Sequence, residues 1–154
     1  MKAFVSYSLN DKDELVMAIL SSKLGEKGFS INVSHDFYSY NLNAMTQLMI
    51  SESSLFVGII TQNSIQTERV YREWNYAQQL NIPSILLVEK NMAYKMNRYV
   101  NIEGRYIEFD RENPNVAIGQ IEALKSDLKN DETIKWIFGA AALVAVISLL
   151  SNKK

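Results

Sequence analysis

A chain of 154 residues, 47 % of them apolar, can fill one real core and still leave room for a short extra segment. Its net charge of −1 argues against a broad nucleic-acid surface, and the lack of cysteine removes disulfides, thiolate nucleophiles and Cys-based metal sites. The single histidine, His35, cannot build a His-rich metal centre, and no carboxylate cluster has EF-hand spacing, so no bound metal or other cofactor is expected.

The opening MKAFVSYSLNDKDE has too short an apolar run for a secretory leader and leads straight into charge. Within it, Ala3 to Ser6 reads as a short strand. Asn10 or Asp11 can cap a helix whose stripe is Leu15, Ala18, Ile19 and Leu24, with Gly25 and Gly28 ending it. Phe29 to Val33 alternates as a second strand, and HDFYSYNLN, residues 35–43, is a polar and aromatic loop. Met45, Leu48 and Met49 mark a short helix. Leu55 to Ile60, LFVGII, is nearly continuous apolar sequence and reads as a strand buried on both faces. A helix over residues 68–80 follows, then a further buried strand, Ser84 to Val88, after Pro83. Tyr106 to Phe109 is a weaker strand, and Val116 to Leu128 has helical spacing at Ile118, Ile121, Leu124 and Leu128.

Strands alternating with helices imply an α/β fold with a parallel sheet, and five strands of this length suggest the flavodoxin-like order. Ligands in such folds gather beyond the carboxyl ends of the strands, where Tyr7 to Asp11, Ser34 to Asn43 and Thr61 to Thr67 would lie. The third of these loops leads into ERVYREWNYAQQL, residues 68–80. At about 100° per position, Val70, Trp74, Ala77 and Leu80 fall on one side of that helix, and Glu73 falls among them. A carboxylate at a core-facing position is costly unless something pairs with it or uses it. The expected place for Glu73 is the lip of the crevice, and the structural alternative is a helix-edge residue paired with a nearby Arg or Lys.

The last apolar stretch, IKWIFGAAALVAVISLL, covers Ile134 to Leu150. About 17 residues at about 1.5 Å each give roughly 25 Å, the short end of a membrane span. Apolar residues surround the whole helix, and Lys135, Trp136, Lys153 and Lys154 suit the two interfaces. The expected organisation is a domain at 1–128, a hinge at 129–133, a transmembrane helix at 134–150 and a basic tail at 151–154. The competing reading is a buried core helix that closes the domain.

Three blocks together resemble a TIR domain. FVSYSLNDKD is similar to the family's opening strand and first loop, and LFVGIITQNS to its central strand with a Ser-containing turn. TERVYREWNYAQQLNIPSILLVE is similar to the most telling block: Ser or Thr, two residues, Val or Cys, two residues, Glu, then Ala and an I-P-I strand. The resemblance runs over roughly residues 2–128 in the family's order. It departs at Arg69, where the family often has Trp, at Ser8, where many NAD-cleaving relatives have Arg or another polar residue, and in HDFYSYNLN, which lacks the usual Gly turn.

The resemblance implies a TIR fold and NAD as substrate, with Glu73 in the position of the catalytic Glu that cleaves the nicotinamide–ribose bond. It points to Ser8, Asp11, Asp36, Tyr40, Leu42 and Arg69 as substrate contacts. It also implies self-association through TIR–TIR contacts and a role in innate immunity such as anti-phage defence, while the apolar stretch 134–150 points to a single-pass C-terminal membrane anchor with the domain in the cytoplasm. Rival readings are a non-catalytic sensor or assembly module whose clustered transmembrane helices damage the bilayer, and a signalling adaptor. Bland readings stand beside the sites: Ser8 and Asp11 as helix-start residues, Trp74 as core packing, and the loop aromatics as local packing or a protein contact.

Overall fold

The strands come from the apolar runs, and their order follows from the helices between them. In the computed structural model, the chain runs β1 (Lys2–Tyr7), α1 (Glu14–Glu26), β2 (Ser30–Val33), α2 (Ala44–Ser51), β3 (Leu55–Ile60), α3 (Thr67–Gln79), β4 (Ser84–Glu89), β5 (Tyr106–Phe109) and α4 (Pro114–Asp127). The structure describes residues 1–7, 14–33, 42–62, 67–90, 92, 106–127, 144 and 147, with backbone alone for 14–17 and 121–127. The sheet order is β2-β1-β3-β4-β5 and every pairing is parallel, which is the flavodoxin-like arrangement expected from the pattern.

Side chains alternate across a strand, so each strand feeds two cores. Ala3, Val5, Leu55, Val57, Ile59, Ile85 and Leu87 face one layer, with Leu20 and Leu24 of α1 and Ala117 of α4. Phe4, Phe56, Ile60, Leu86 and Val88 face the other, with Ile50 of α2 and Val70, Tyr71, Trp74 and Ala77 of α3. The central strands are buried on both sides, which explains their unbroken apolar sequence.

Two helices end in the same way. Past α1, the Phe29 and Gly28 amides donate to the Leu24 and Gly25 carbonyls, and Gly28 has φ +88°. Past α3, the Ile82 and Asn81 amides donate to the Ala77 and Gln78 carbonyls, and Asn81 has φ 56°. Both are Schellman caps, which put a left-handed residue just beyond the helix. Gly28 therefore ends α1, whereas Gly25 lies inside its last turn.

Several expected faces are turned. In α1, Leu20 and Leu24 are buried and Ala18 is exposed. In α2, Met45 and Leu48 are exposed, while Thr46 and Ile50 face the core. Eight residues rich in apolar side chains offer more than one stripe, and docking against α3 selects the one holding Ile50. Leu80 lies past the end of α3 and is exposed.

Among the described residues no helix is long and apolar enough to cross a membrane. Most of the stretch 134–150 lies outside the described residues, as does the hinge at 129–133. Val144 and Ile147 are described: both are helical, Ile147 is fully buried in the core beside α1 and α4, and Val144 packs against that core.

Candidate functional site

Ser6 is a hydroxyl on an otherwise apolar, buried face. It sits on the same side of β1 as Phe4 and therefore points at α3. Its partner on β3 is Gly58. A Cβ at Gly58 would stand 2.6 Å from Leu86 Cδ1 and 3.5 Å from Val70 Cγ1, so the missing side chain lets the α3 layer settle close over β3. The close layer brings Glu73, in the second turn of α3, onto the end of β1.

Ser6 Oγ donates to Glu73 Oε1 at 2.6 Å. Arg69, one turn earlier on α3, donates from Nη1 to the same oxygen at 3.3 Å and from Nη2 to the Tyr7 carbonyl at 2.5 Å. Glu73 is 0 % exposed and the Arg69 side chain 4 %. Glu73 is therefore sealed beneath the rim rather than standing at its lip. It carries the ion pair of the structural alternative, but in a buried setting. A carboxylate so deeply placed is sustained by the guanidinium charge and by the hydroxyl bond. The cluster lies at the carboxyl ends of β1 and β3, where the strand order reverses and ligands collect in this fold class.

The structure brings Glu73 and Arg69 together. Ser8, Asp11, Asp36 and Tyr40 lie outside the described residues. Leu42 is half-buried at the entrance to α2, where its carbonyl accepts from Gln47 Nε2 at 3.2 Å and Asn43 caps the helix. Trp74 is core packing. Its indole nitrogen, the Tyr71 hydroxyl and the Thr46 hydroxyl are buried without a hydrogen-bond partner. Burial first, and the neighbouring Tyr106 phenol second, hold the Tyr71 hydroxyl well above its ordinary ionisation range.

The sequence reading missed Ser6 and the Tyr7 carbonyl. The available signal was a polar residue at the third step of a buried alternation, Phe4 to Ser6. A second buried carboxylate was also missed. Glu89, at the end of β4, accepts from Arg111 Nη2 at 2.8 Å, from Arg111 Nε at 3.1 Å on both oxygens, and from the Gln62 amide at 3.1 Å. Among the described residues no group of three or more His, Asp or Glu is placed to hold a metal.

No protein-family model and no curated protein matches the chain. Among solved structures, the chain is similar to one titled "Structure of the activated Roq1 resistosome directly recognizing the pathogen effector XopQ (TIR domains)". The two are 15 % identical, with a TM-score of 0.49, over 95 % of this chain and 82 % of that one.

Proposed function

We propose that this chain is a membrane-anchored TIR-domain protein that cleaves NAD between nicotinamide and ribose, with Glu73 as the catalytic carboxylate. The observation that carries the reading is the place of Glu73: a charged side chain built into the α3 face at the crevice end of β1, where a core needs none. The three sequence blocks that resemble the family agree with it.

The chemistry needs few groups. The nicotinamide ring of NAD already carries positive charge, so it departs with the electrons of the C–N bond and becomes neutral. The ribose left behind has oxocarbenium character, as in glycoside hydrolysis. A carboxylate beside that sugar stabilises the cation and can hold its hydroxyls. Water then bonds to the anomeric carbon and releases a proton, giving ADP-ribose; a group of the same nucleotide adding instead gives a cyclic product.

In this reading residues 134–150 hold the domain on the cytoplasmic face of a membrane. Confinement in two dimensions raises the effective concentration of copies and favours TIR–TIR assembly, which switches the site on in an immune or anti-phage response. A second reading is favoured by the complete burial of Glu73: a non-catalytic assembly module whose clustered tails act on the bilayer.

Glu73→Gln tests both. The material is the full chain, which keeps the proposed anchor at residues 134–150 in place. Tethered at high density on vesicles, it should consume NAD, and Glu73→Gln should lower the rate by about a thousand-fold while the far-ultraviolet spectrum stays unchanged. Equal rates for the two chains would sink the enzyme reading. Loss of cellular effect on replacing residues 134–150 by an unrelated membrane span, with the far-ultraviolet spectrum unchanged and Glu73→Gln fully active in cells, would establish the second.

A further inference from the structure

We propose that the outer edge of β5 is a docking site for an extended, lysine- or arginine-bearing peptide of another protein, which joins the five-stranded sheet as an added strand. This surface is separate from Glu73 and does not depend on NAD cleavage.

The edge is bare. β5 closes the sheet on one side and, among the described residues, pairs with β4 alone. The Lys90 amide donates to the Phe109 carbonyl at 2.8 Å, so the main chain of Phe109 is turned toward β4. Main-chain groups alternate in direction along a strand. Ile107 is therefore turned the same way as Phe109, and the N–H and C=O groups of Tyr106 and Glu108 point outward. A row of unpaired groups of this kind is a template for another strand. A cavity of about 430 Å³ opens beside it, with Glu108 and Asp110 on the strand side and Val116 and Gln120 of α4 on the helix side. Val116 is 56 % exposed and offers an apolar footing to a side chain of the added strand. Gln120 and Asn113, both exposed, set side-chain amides along the same cavity.

Charge selects the occupant. Four carboxylates, Glu89, Glu108, Asp110 and Glu112, stand here against two cations, Lys90 and Arg111. Both cations are engaged, Arg111 on Glu89 at 2.8 Å and Lys90 on Asp110 at 3.4 Å. Glu108 and Glu112 are exposed and pair with no cation among the described residues. The negative charge that keeps an acidic strand off this edge admits a cationic one. The opposite edge of the sheet, β2, reads Ser-Ile-Asn-Val and carries no charge, so β2 of a neighbouring copy does not supply the complement.

The probe is a short, capped, fluorescein-labelled peptide of alternating lysine and valine, titrated into the full-length chain and followed by anisotropy. It should bind saturably, and the matching peptide of alternating glutamate and valine should not. Glu108→Lys changes an exposed side chain, leaves the far-ultraviolet spectrum unaltered, and should weaken binding at least about tenfold. Of the two isomers of the probe N-methylated at alternate amides, one should lose at least about tenfold in affinity, because only one set of amides faces the edge. No saturable binding at about millimolar probe overturns the proposal. So does equal affinity for the acidic peptide, undiminished affinity in Glu108→Lys, or full affinity of both methylated isomers. If the unaltered chain self-associates and Glu108→Lys disperses it, the edge belongs to a second copy and the peptide reading falls.

Discussion

Glu73 on α3 and Glu89 at the end of β4 are both buried carboxylates at the carboxyl edge of one sheet, each beside an arginine. Arg111 places three hydrogen bonds on Glu89, two of them on one oxygen, and the Gln62 amide adds a fourth. Those groups come from beyond β3, from β4 and from beyond β5, so Glu89 pins three strand ends together. Arg69 instead bonds both Glu73 and a main-chain carbonyl of β1. The difference teaches how to tell a clamp from a candidate site when both are buried ion pairs. The clamp uses the arginine's fork on one partner and joins elements the chain must hold. The other arrangement pairs its charges on one helix, one turn apart, and ties them to the end of β1.

The largest effect expected of this comparison comes from removing each arginine. Arg69→Met removes the guanidinium from beside a fully buried carboxylate and should cost about 3–5 kcal/mol of unfolding free energy. Arg111 is 26 % exposed, so water can partly take its place, and Arg111→Met should cost about 1–2 kcal/mol after discounting for that screening. Urea unfolding of both variants measures the gap. A second change, Glu73→Leu on the Arg69→Met chain, should recover most of the loss, because the penalty belongs to the stranded charge and not to a missing contact. Equal costs for the two arginines would erase the distinction.

A smaller effect separates the neutral partners. Ser6→Ala removes the 2.6 Å bond to Glu73 and should cost about 1.5–3 kcal/mol; under the proposed function it should also lower NAD turnover about tenfold through misplacement of the carboxylate. Gln62→Ala leaves the main-chain amide on Glu89 in place and loses only an exposed side-chain bond to the Lys90 carbonyl. Its cost should stay below about 0.5 kcal/mol.

What the sequence made visible tracks how local each constraint is. The unbroken apolar runs of β3 and β4 are each written in a single segment, so the sheet could be read directly. Gly28 ahead of a strand is a local stop signal and became a Schellman cap, whereas the Asn81 cap after α3 was not anticipated. Glu73 was visible as a break in helical period. Its partner Ser6 was not, because the meeting depends on the β1–β3 register and on the space left by Gly58, which no single segment carries. The Glu89–Arg111 clamp spans 22 residues and exists only once β4 and β5 pair. The facing of Met45 and Leu48 failed for a different reason: a short helix apolar on several sides takes its buried stripe from its neighbours. For the stretch 134–150 the composition that suits a bilayer also suits a core, and composition alone does not choose between them.

The smallest effect uses α3 itself as a control. The Tyr71 hydroxyl is buried on the same helix and, unlike Glu73, has no hydrogen-bond partner. If burial of any polar atom on this face were as costly as burial of charge, Tyr71 would be a severe defect. A neutral hydroxyl left unsatisfied costs far less than a stranded carboxylate, so Tyr71→Phe should be neutral or stabilising by about 1 kcal/mol at neutral pH. Alkaline titration gives the variant a second signature. Burial holds the folded phenol's pKa above its ordinary value of 10.0, so an unfolded chain releases that proton first as pH rises. Above that value the unfolded state binds fewer protons than the folded one, and stability falls with pH. The contribution is fully present below the unfolded pKa and is lost as pH climbs toward the folded one. Tyr71→Phe deletes this term, so its urea midpoint should fall less steeply between about pH 9 and about pH 11 than that of the unaltered chain. Identical slopes would mean that the phenol reaches water in the folded chain, and that the α3 face is less dry than the pairing of Glu73 with Arg69 requires.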